Sequence, residues 1–147
     1  MLDSIILTAE GRTFLDTLAE LGKKKVYVGF QASNGAYKDG TTVVQVAAWN
    51  EFGTSKMPAR PFMKQTLNEN KDEIKAMLAE ACKEAAAGKK ADEVYNKVGV
   101  KAKALMQRQI VEGSFAPNAP YTIRKKGSDK PLIDTGKMRQ SVMYVIR

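Results

Sequence analysis

Apolar residues at Phe14, Leu15, Leu18 and Leu21 fall on one side of a helix drawn from Thr8 to Leu21, with Gly22 as its stop. Beyond Lys23-Lys24-Lys25 the period changes, because Val26, Val28 and Phe30 alternate along the chain as the inward face of a half-buried strand does. Ala32 to Gly40 holds Asn34-Gly35 and Asp39-Gly40 and is too polar for a core, which predicts an exposed loop over about 32–41. Thr42-Val43-Val44-Gln45 then reads as a capping box opening a helix through Phe52. The β-branched Val43, Val44 and Val46 argue for a strand there instead, but Gly53 and the prolines after it supply a matching helix stop.

From Pro61 a long helix is expected to run to about Ala87, with Leu67, Ile74, Leu78, Ala81 and Ala85 on one face and Gly88 after its end. A second, from about Asp92 to Val111, gathers Val94, Val98, Ala102, Leu105 and Met106, with Gly99 weakening its middle. A short polar link between two such helices makes them an antiparallel hairpin. Gly113 to Pro131, with Pro117, Pro120 and Pro131, reads as a second irregular segment; Phe115, Tyr121 and Ile123 make it more apolar than solvent alone requires, as if it packs on a neighbour. A short capped helix and the alternating strand Ser141–Ile146 close the pattern, and that strand suits pairing with Val26–Phe30. The expected fold is therefore α+β in one domain over 1–147: a small antiparallel sheet packed against an N-terminal helix and a long helical hairpin.

Composition narrows the chemistry. With 147 residues, 44% hydrophobic and 27% charged, the chain has the balance of a soluble globular domain large enough to bury a core without staples. No apolar run approaches the roughly 18 residues of a membrane span, and Met1–Leu7 lacks a basic leader region, so folding in a cytoplasm is expected. The single cysteine, Cys82, excludes an intrachain disulfide, and its helical spacing from Leu78 and Ala85 suggests a buried small hydrophobe. There is no histidine. That removes Ser-His-Asp and Cys-His catalysis, His-based zinc sites and the commonest general base. Asp134-Thr135-Gly136 has the tripeptide of an aspartic protease loop, but those enzymes need a paired aspartate in a mostly β framework. Asp134 is better explained as the cap of a short helix, accepting backbone N–H groups near Gly136 and Lys137.

Charge is uneven along the chain. Residues 1–88 carry 11 Lys/Arg and 11 Asp/Glu, whereas residues 89–147 carry 13 and 5, so the whole net charge of +8 lies in the second segment. Such a basic half can contact phosphate, dock an acidic protein patch, or simply be solvated. Arg124, Lys125, Lys126 and Lys130 concentrate it in the second loop, where Tyr121 adds one aromatic. No zinc finger, P-loop or dinucleotide fingerprint accompanies them.

The most specific feature is the corner made by Trp49-Asn50-Glu51-Phe52-Gly53-Thr54 and Pro58-Ala59-Arg60-Pro61-Phe62. Gly53 can end one helix and Pro61 suits a first helical position, while Met57 and Arg60 each precede a proline and are pushed toward extended backbone. Trp49, Phe52 and Phe62 are the expected core aromatics of this corner. Arg60 is held in direction, to pair with Glu51 or with an acid across an interface. If it faces a partner together with Met57, Arg60→Ala impairs assembly more than folding.

Taken with Pro131-Leu132-Ile133-Asp134-Thr135-Gly136-Lys137-Met138-Arg139-Gln140-Ser141, the corner resembles the virion-morphogenesis proteins of long-tailed bacteriophages, over a span from about Val26 to Ser141. These are tail-completion, head–tail joining and minor tail proteins. The resemblance implies a structural, non-enzymatic protein of the virion tail or neck, made in the host cytoplasm, forming a homo-oligomeric ring beside other tail or connector proteins. It implies no cofactor, no metal, no membrane and no small-molecule substrate. On that reading Met57, Arg60, Phe115, Tyr121 and Ile123 are the expected subunit contacts, and sheet edges left unpaired offer an assembly route. The alternative is a non-specific DNA-binding or packaging accessory module that uses the basic segment.

Overall fold

The computed structural model describes residues 8–147. In chain order the elements are α1 (Ala9–Lys23), β1 (Val26–Gly29), a 3-10 turn (Ala32–Asn34), α2 (Val43–Phe52), α3 (Phe62–Glu69), α4 (Lys71–Ala86), α5 (Ala91–Glu112), α6 (Pro120–Lys126), α7 (Lys137–Gln140) and β2 (Met143–Ile146). The expected α+β class holds: β1 and β2 pair antiparallel, Val26 opposite Ile146 and Gly29 opposite Met143, and α5 packs on the resulting two-stranded sheet.

α5 is the spine because its apolar positions repeat at helical spacing over 22 residues. Ala91, Val94 and Val98 are buried at its N-terminal end, toward α4 and the sheet. Met106 and Ile110, near its other end, enter the main core with Val43, Ala47, Phe62, Leu132, Met138 and Val142. Phe62 is fully buried and meets the Phe30 ring edge-on, centroids 6.0 Å apart. Gly99, where a weak point is expected, is instead a seat. A Cβ there would overlap the Tyr144 ring, so the missing side chain is what lets β2 lie against α5, and Tyr144 Oη then donates to Asn96 Oδ1 at 3.1 Å.

The expected helix from Pro61 to Ala87 is broken at Asn70 into α3 and α4. Asn70 leaves helical geometry (φ −112°, ψ 25°), and its side chain donates to Thr66 O at 2.8 Å while accepting from Arg108 Nη2 at 2.9 Å. An asparagine with such partners competes with the helical ladder, and the elbow lets both segments follow α5. Of the face assigned to this stretch, Ala85 is buried, but Leu67 and Leu78 are exposed and Met77 is buried in their place. α1 likewise rotates away from its expected register: Thr17 is its buried residue, Leu15 and Leu18 are exposed, and the helix runs past Gly22 to Lys23. Gly22 has open space around it and breaks nothing. Cys82 is exposed, not a core residue: α4 buries Met77 and Ala85 and leaves the cysteine in solvent.

Glu84 holds the α4–α5 hairpin by accepting from Lys97 Nζ at 2.5 Å and pairing with Lys89 Nζ at 3.2 Å. The Lys97 hydrogen bond, with Lys89 beside it, keeps the Glu84 carboxyl below its ordinary range. A carboxyl with a lowered folded value contributes stability above the ordinary glutamate pKa, and the contribution disappears as pH falls through the lowered value. Glu84→Gln is therefore expected to melt below the parent at neutral pH, with the gap closing below about pH 4 and shrinking in high salt. Thermal melts across an acid series check this; parallel curves would refute it.

Candidate functional site

The corner is built as its sequence suggests, but it points inward. Thr42 opens α2 with the expected capping box, its Oγ1 accepting from Gln45 N at 3.1 Å. Gly53 ends α2 with φ +74° and ψ 178°, its N–H donating to Trp49 O at 2.8 Å. A tight Thr54–Met57 bridge follows, and Pro61 stands just before α3 rather than inside it. Glu51 turns to α3 and accepts from Met63 N at 2.8 Å and Lys64 N at 3.1 Å, capping a helix whose own N-cap proline offers no side-chain acceptor. It does not pair with Arg60.

Arg60 is 4% exposed and reaches back into the chain, not outward. Its Nε donates to Ala116 O at 2.7 Å and its Nη2 to Pro117 O at 3.0 Å, so the guanidinium fork fastens the Gly113–Ala119 stretch to the corner. Nη1 has no hydrogen-bond partner among the described residues. Since no fully buried side-chain nitrogen or oxygen there lacks a partner, this atom reaches solvent, where Arg60 lines a cleft. Burial also lowers the affinity of this guanidinium for its proton relative to a free arginine.

The cleft has a volume of about 950 Å³. One wall is Val46, Trp49 and Asn50 of α2 with Met57 and Arg60; the others are the Ala36–Thr41 loop, α6, and the Pro131–Met138 stretch. The two sequence blocks that carry the phage resemblance, far apart in the chain, thus border one depression. Buried Asn118 ties the α6 wall down by donating to Lys130 O at 3.2 Å, and Lys126 Nζ donates to the same carbonyl at 3.0 Å. Opposite, Lys137 Nζ donates to Ala36 O and stands 5.2 Å from the centre of the Tyr37 ring. Burial raises the Tyr37 hydroxyl pKa and lowers the Lys126 ammonium pKa, with Asp134 partly opposing the shift at Lys126.

Several expected roles change here. Asp134 caps nothing: α7 begins after Gly136 with no side-chain cap, and Thr135 Oγ1 accepts from Lys137 N at 3.3 Å. The 113–131 segment is not irregular throughout, because Pro120 at a first helical position opens α6 and left-handed Gly127 closes it. Within it Tyr121 is 68% exposed, Ile123 is half-buried, and Phe115 packs against the core cluster. Arg124, Lys125 and Lys130 are exposed and Lys126 is half-buried. Only Phe62 of the three corner aromatics is in the core: Trp49 is 45% and Phe52 81% exposed. Pro58 is exposed and Met57 half-buried.

Sequence reasoning missed Tyr37, Lys38, Asn118 and Lys137 as parts of one wall system. Tyr37 carried a signal, an aromatic inside an otherwise polar glycine-rich loop; Asn118 and Lys137 carried none, since their roles arise only when distant segments meet. Among the described residues no group of three or more acidic, cysteine or histidine side chains is placed to hold a metal, and no helix is long and apolar enough to cross a membrane. Comparison of the chain with family models, curated proteins and solved structures gives no match in any of the three.

Proposed function

We propose that this protein is a structural component of a phage tail or neck, of the tail-completion or head–tail joining kind, acting by subunit association as a ring and performing no catalysis. The observation that carries the reading is α2. Its sequence is apolar on every side, yet only Val43, Ala47 and Asn50 are buried, leaving Val44, Trp49 and Phe52 in solvent. A helix apolar all round suits an interior, and another chain laid on its outer side would supply one. Covering a side chain such as Phe52 contributes about 1.5–3 kcal/mol, enough for a few such positions to drive assembly. The resemblance of the corner and of Pro131–Ser141 to virion-morphogenesis proteins supports the same reading, as do the outer edges of β1 and β2, which pair with no other strand among the described residues. In the virion its neighbours would be copies of itself and other tail or connector proteins, after synthesis in the host cytoplasm.

The second reading is a non-specific DNA-binding or packaging accessory module, favoured by the +8 of residues 89–147 and the exposed cations of α6. Mass by light scattering after size exclusion, at low and high salt and with a short duplex DNA, separates the two. A discrete salt-resistant oligomer indifferent to DNA is expected, and Phe52→Asp with Val44→Asp should reduce it to a folded monomer while Leu67→Asp leaves it intact. A monomer that shifts onto DNA only at low salt would transfer the proposal to the accessory module. A monomer unmoved by salt or DNA would overturn self-assembly.

A further inference from the structure

None of the cations around the cleft forms an ion pair among the described residues. Lys38, Arg60, Lys125, Lys126 and Lys137 line it against only Asp39 and Asp134, a net of +3. The five ion pairs among the described residues all lie elsewhere, on α1, on α4 and α5, and between Lys24 and Asp92. Lys126 and Lys137 are anchored by backbone carbonyls, which fixes their positions without neutralising them. Asp39 is engaged in its own turn, accepting from Thr41 N at 2.9 Å. Between the charges the floor is apolar, formed by Val46, Trp49, Met57, Leu132 and Met138.

We infer that this cleft receives an extended segment of a partner protein in which carboxylates alternate with apolar side chains, the carboxylates meeting Arg60 Nη1 and the cleft lysines and the apolar groups covering Trp49. The inference rests on the reading of this protein as an assembly component and names what docks in the cleft beside Trp49. A concave wall of net positive charge, partly shielded from water, favours an incoming acid, and a desolvated guanidinium with one free nitrogen gains most from a carboxylate. Duplex DNA fits less well, since phosphates would meet two carboxylates and an apolar floor. A second copy of the chain fits less well too: among the described residues, acids outside helices are confined to Asp39, Asp129 and Asp134, two lining the cleft and Asp129 bound through its carbonyl to the cleft residue Asn118. Among the described residues no extended acidic segment remains to offer.

Trp49 is the single tryptophan, so the cleft carries its own reporter. The probe is an octapeptide of alternating glutamate and leucine, titrated into the full chain and into its Phe52→Asp variant while Trp49 emission is followed, with the lysine–leucine peptide and a short duplex DNA alongside. Saturable binding of the acidic peptide alone is expected in both proteins. Lys38→Glu with Lys125→Glu, both exposed and free of hydrogen bonds among the described residues, should weaken it about tenfold. Lys71→Glu with Lys75→Glu, on the outer side of α4, should leave it unchanged. Equal effects of the two pairs, no emission change, or DNA binding with the same lysine dependence would overturn the inference. Binding by Phe52→Asp alone would also overturn it, because a second copy would then fill the cleft in the oligomer. A ring with a silent cleft in both proteins defeats this inference alone; a monomer that binds the peptide defeats the ring alone.

Discussion

Arg60→Ala is expected to destabilise the isolated chain by about 3 kcal/mol, the scale for truncating one partner of buried charged hydrogen bonds. The substitution removes donors from two carbonyls, Ala116 O and Pro117 O, and unfastens the segment that leads into α6. For a chain of this length the loss corresponds to a melting point lower by about 6–12 °C. Thermal and urea unfolding at one fixed protomer concentration check it, because association would otherwise add its own stabilisation. Arg60→Lys should recover little, since an ammonium cannot reproduce the two-pronged geometry at Nε and Nη2. This reverses the expectation from sequence that Arg60→Ala would impair assembly more than folding. An unchanged melting point would mean that the fork contributes nothing and would restore that expectation.

Gly53→Ala should cost about 1–3 kcal/mol from backbone conformation alone, because φ +74° with ψ 178° is a region that only glycine occupies readily. A second term adds to it. The new Cβ would stand 2.8 Å from Ala59 N and 3.0 Å from Met57 O, both backbone atoms that cannot turn aside. The corner has to open for the methyl to fit, and Arg60 moves with it. Gly22→Ala is the internal contrast: it lies in α1 with open space around it and normal helical backbone, so the same substitution should stabilise by up to about 1 kcal/mol. Denaturant midpoints of the two variants should therefore move in opposite directions. Movement in the same direction would show that Gly53 is not under backbone constraint.

Local rules were readable where local chemistry decides. The Thr42–Gln45 capping box, the positive φ of Gly53 and the alternation of Val26 and Val28 each dictate their element without help from elsewhere, and α+β followed from them. What the sequence misassigned depended on which side of an element meets the rest. Leu15 and Leu18 share an apolar stripe with Phe14 and Leu21, yet the contact surface is set by Thr17 and by Tyr95, whose hydroxyl donates to Lys24 O at 2.9 Å. Asn70 looked like an ordinary polar residue within a helix until Thr66 and Arg108 gave its side chain partners. Trp49 and Phe52 read as core because they are aromatic, yet the fold buries Val43, Ala47 and Asn50 of the same helix and leaves both rings exposed. Arg60 was singled out correctly as the directed residue of the corner, but only the fold reveals that its targets are two carbonyls more than fifty residues away.

The pairing of Val26 with Ile146 also governs the order in which the molecule can form. Helices α4 and α5 need only a short link to meet and can do so on a microsecond scale. The sheet closes a loop that encloses nearly every other element, and such non-local pairing is the slow, entropy-limited step of a folding reaction. Until it closes, the groove over Gly99 has no Tyr144 to fill it, and the apolar faces of α2 and α5 stand open together. The chain is thus most adhesive before its two strands meet, and their meeting is what shuts the core away from solvent.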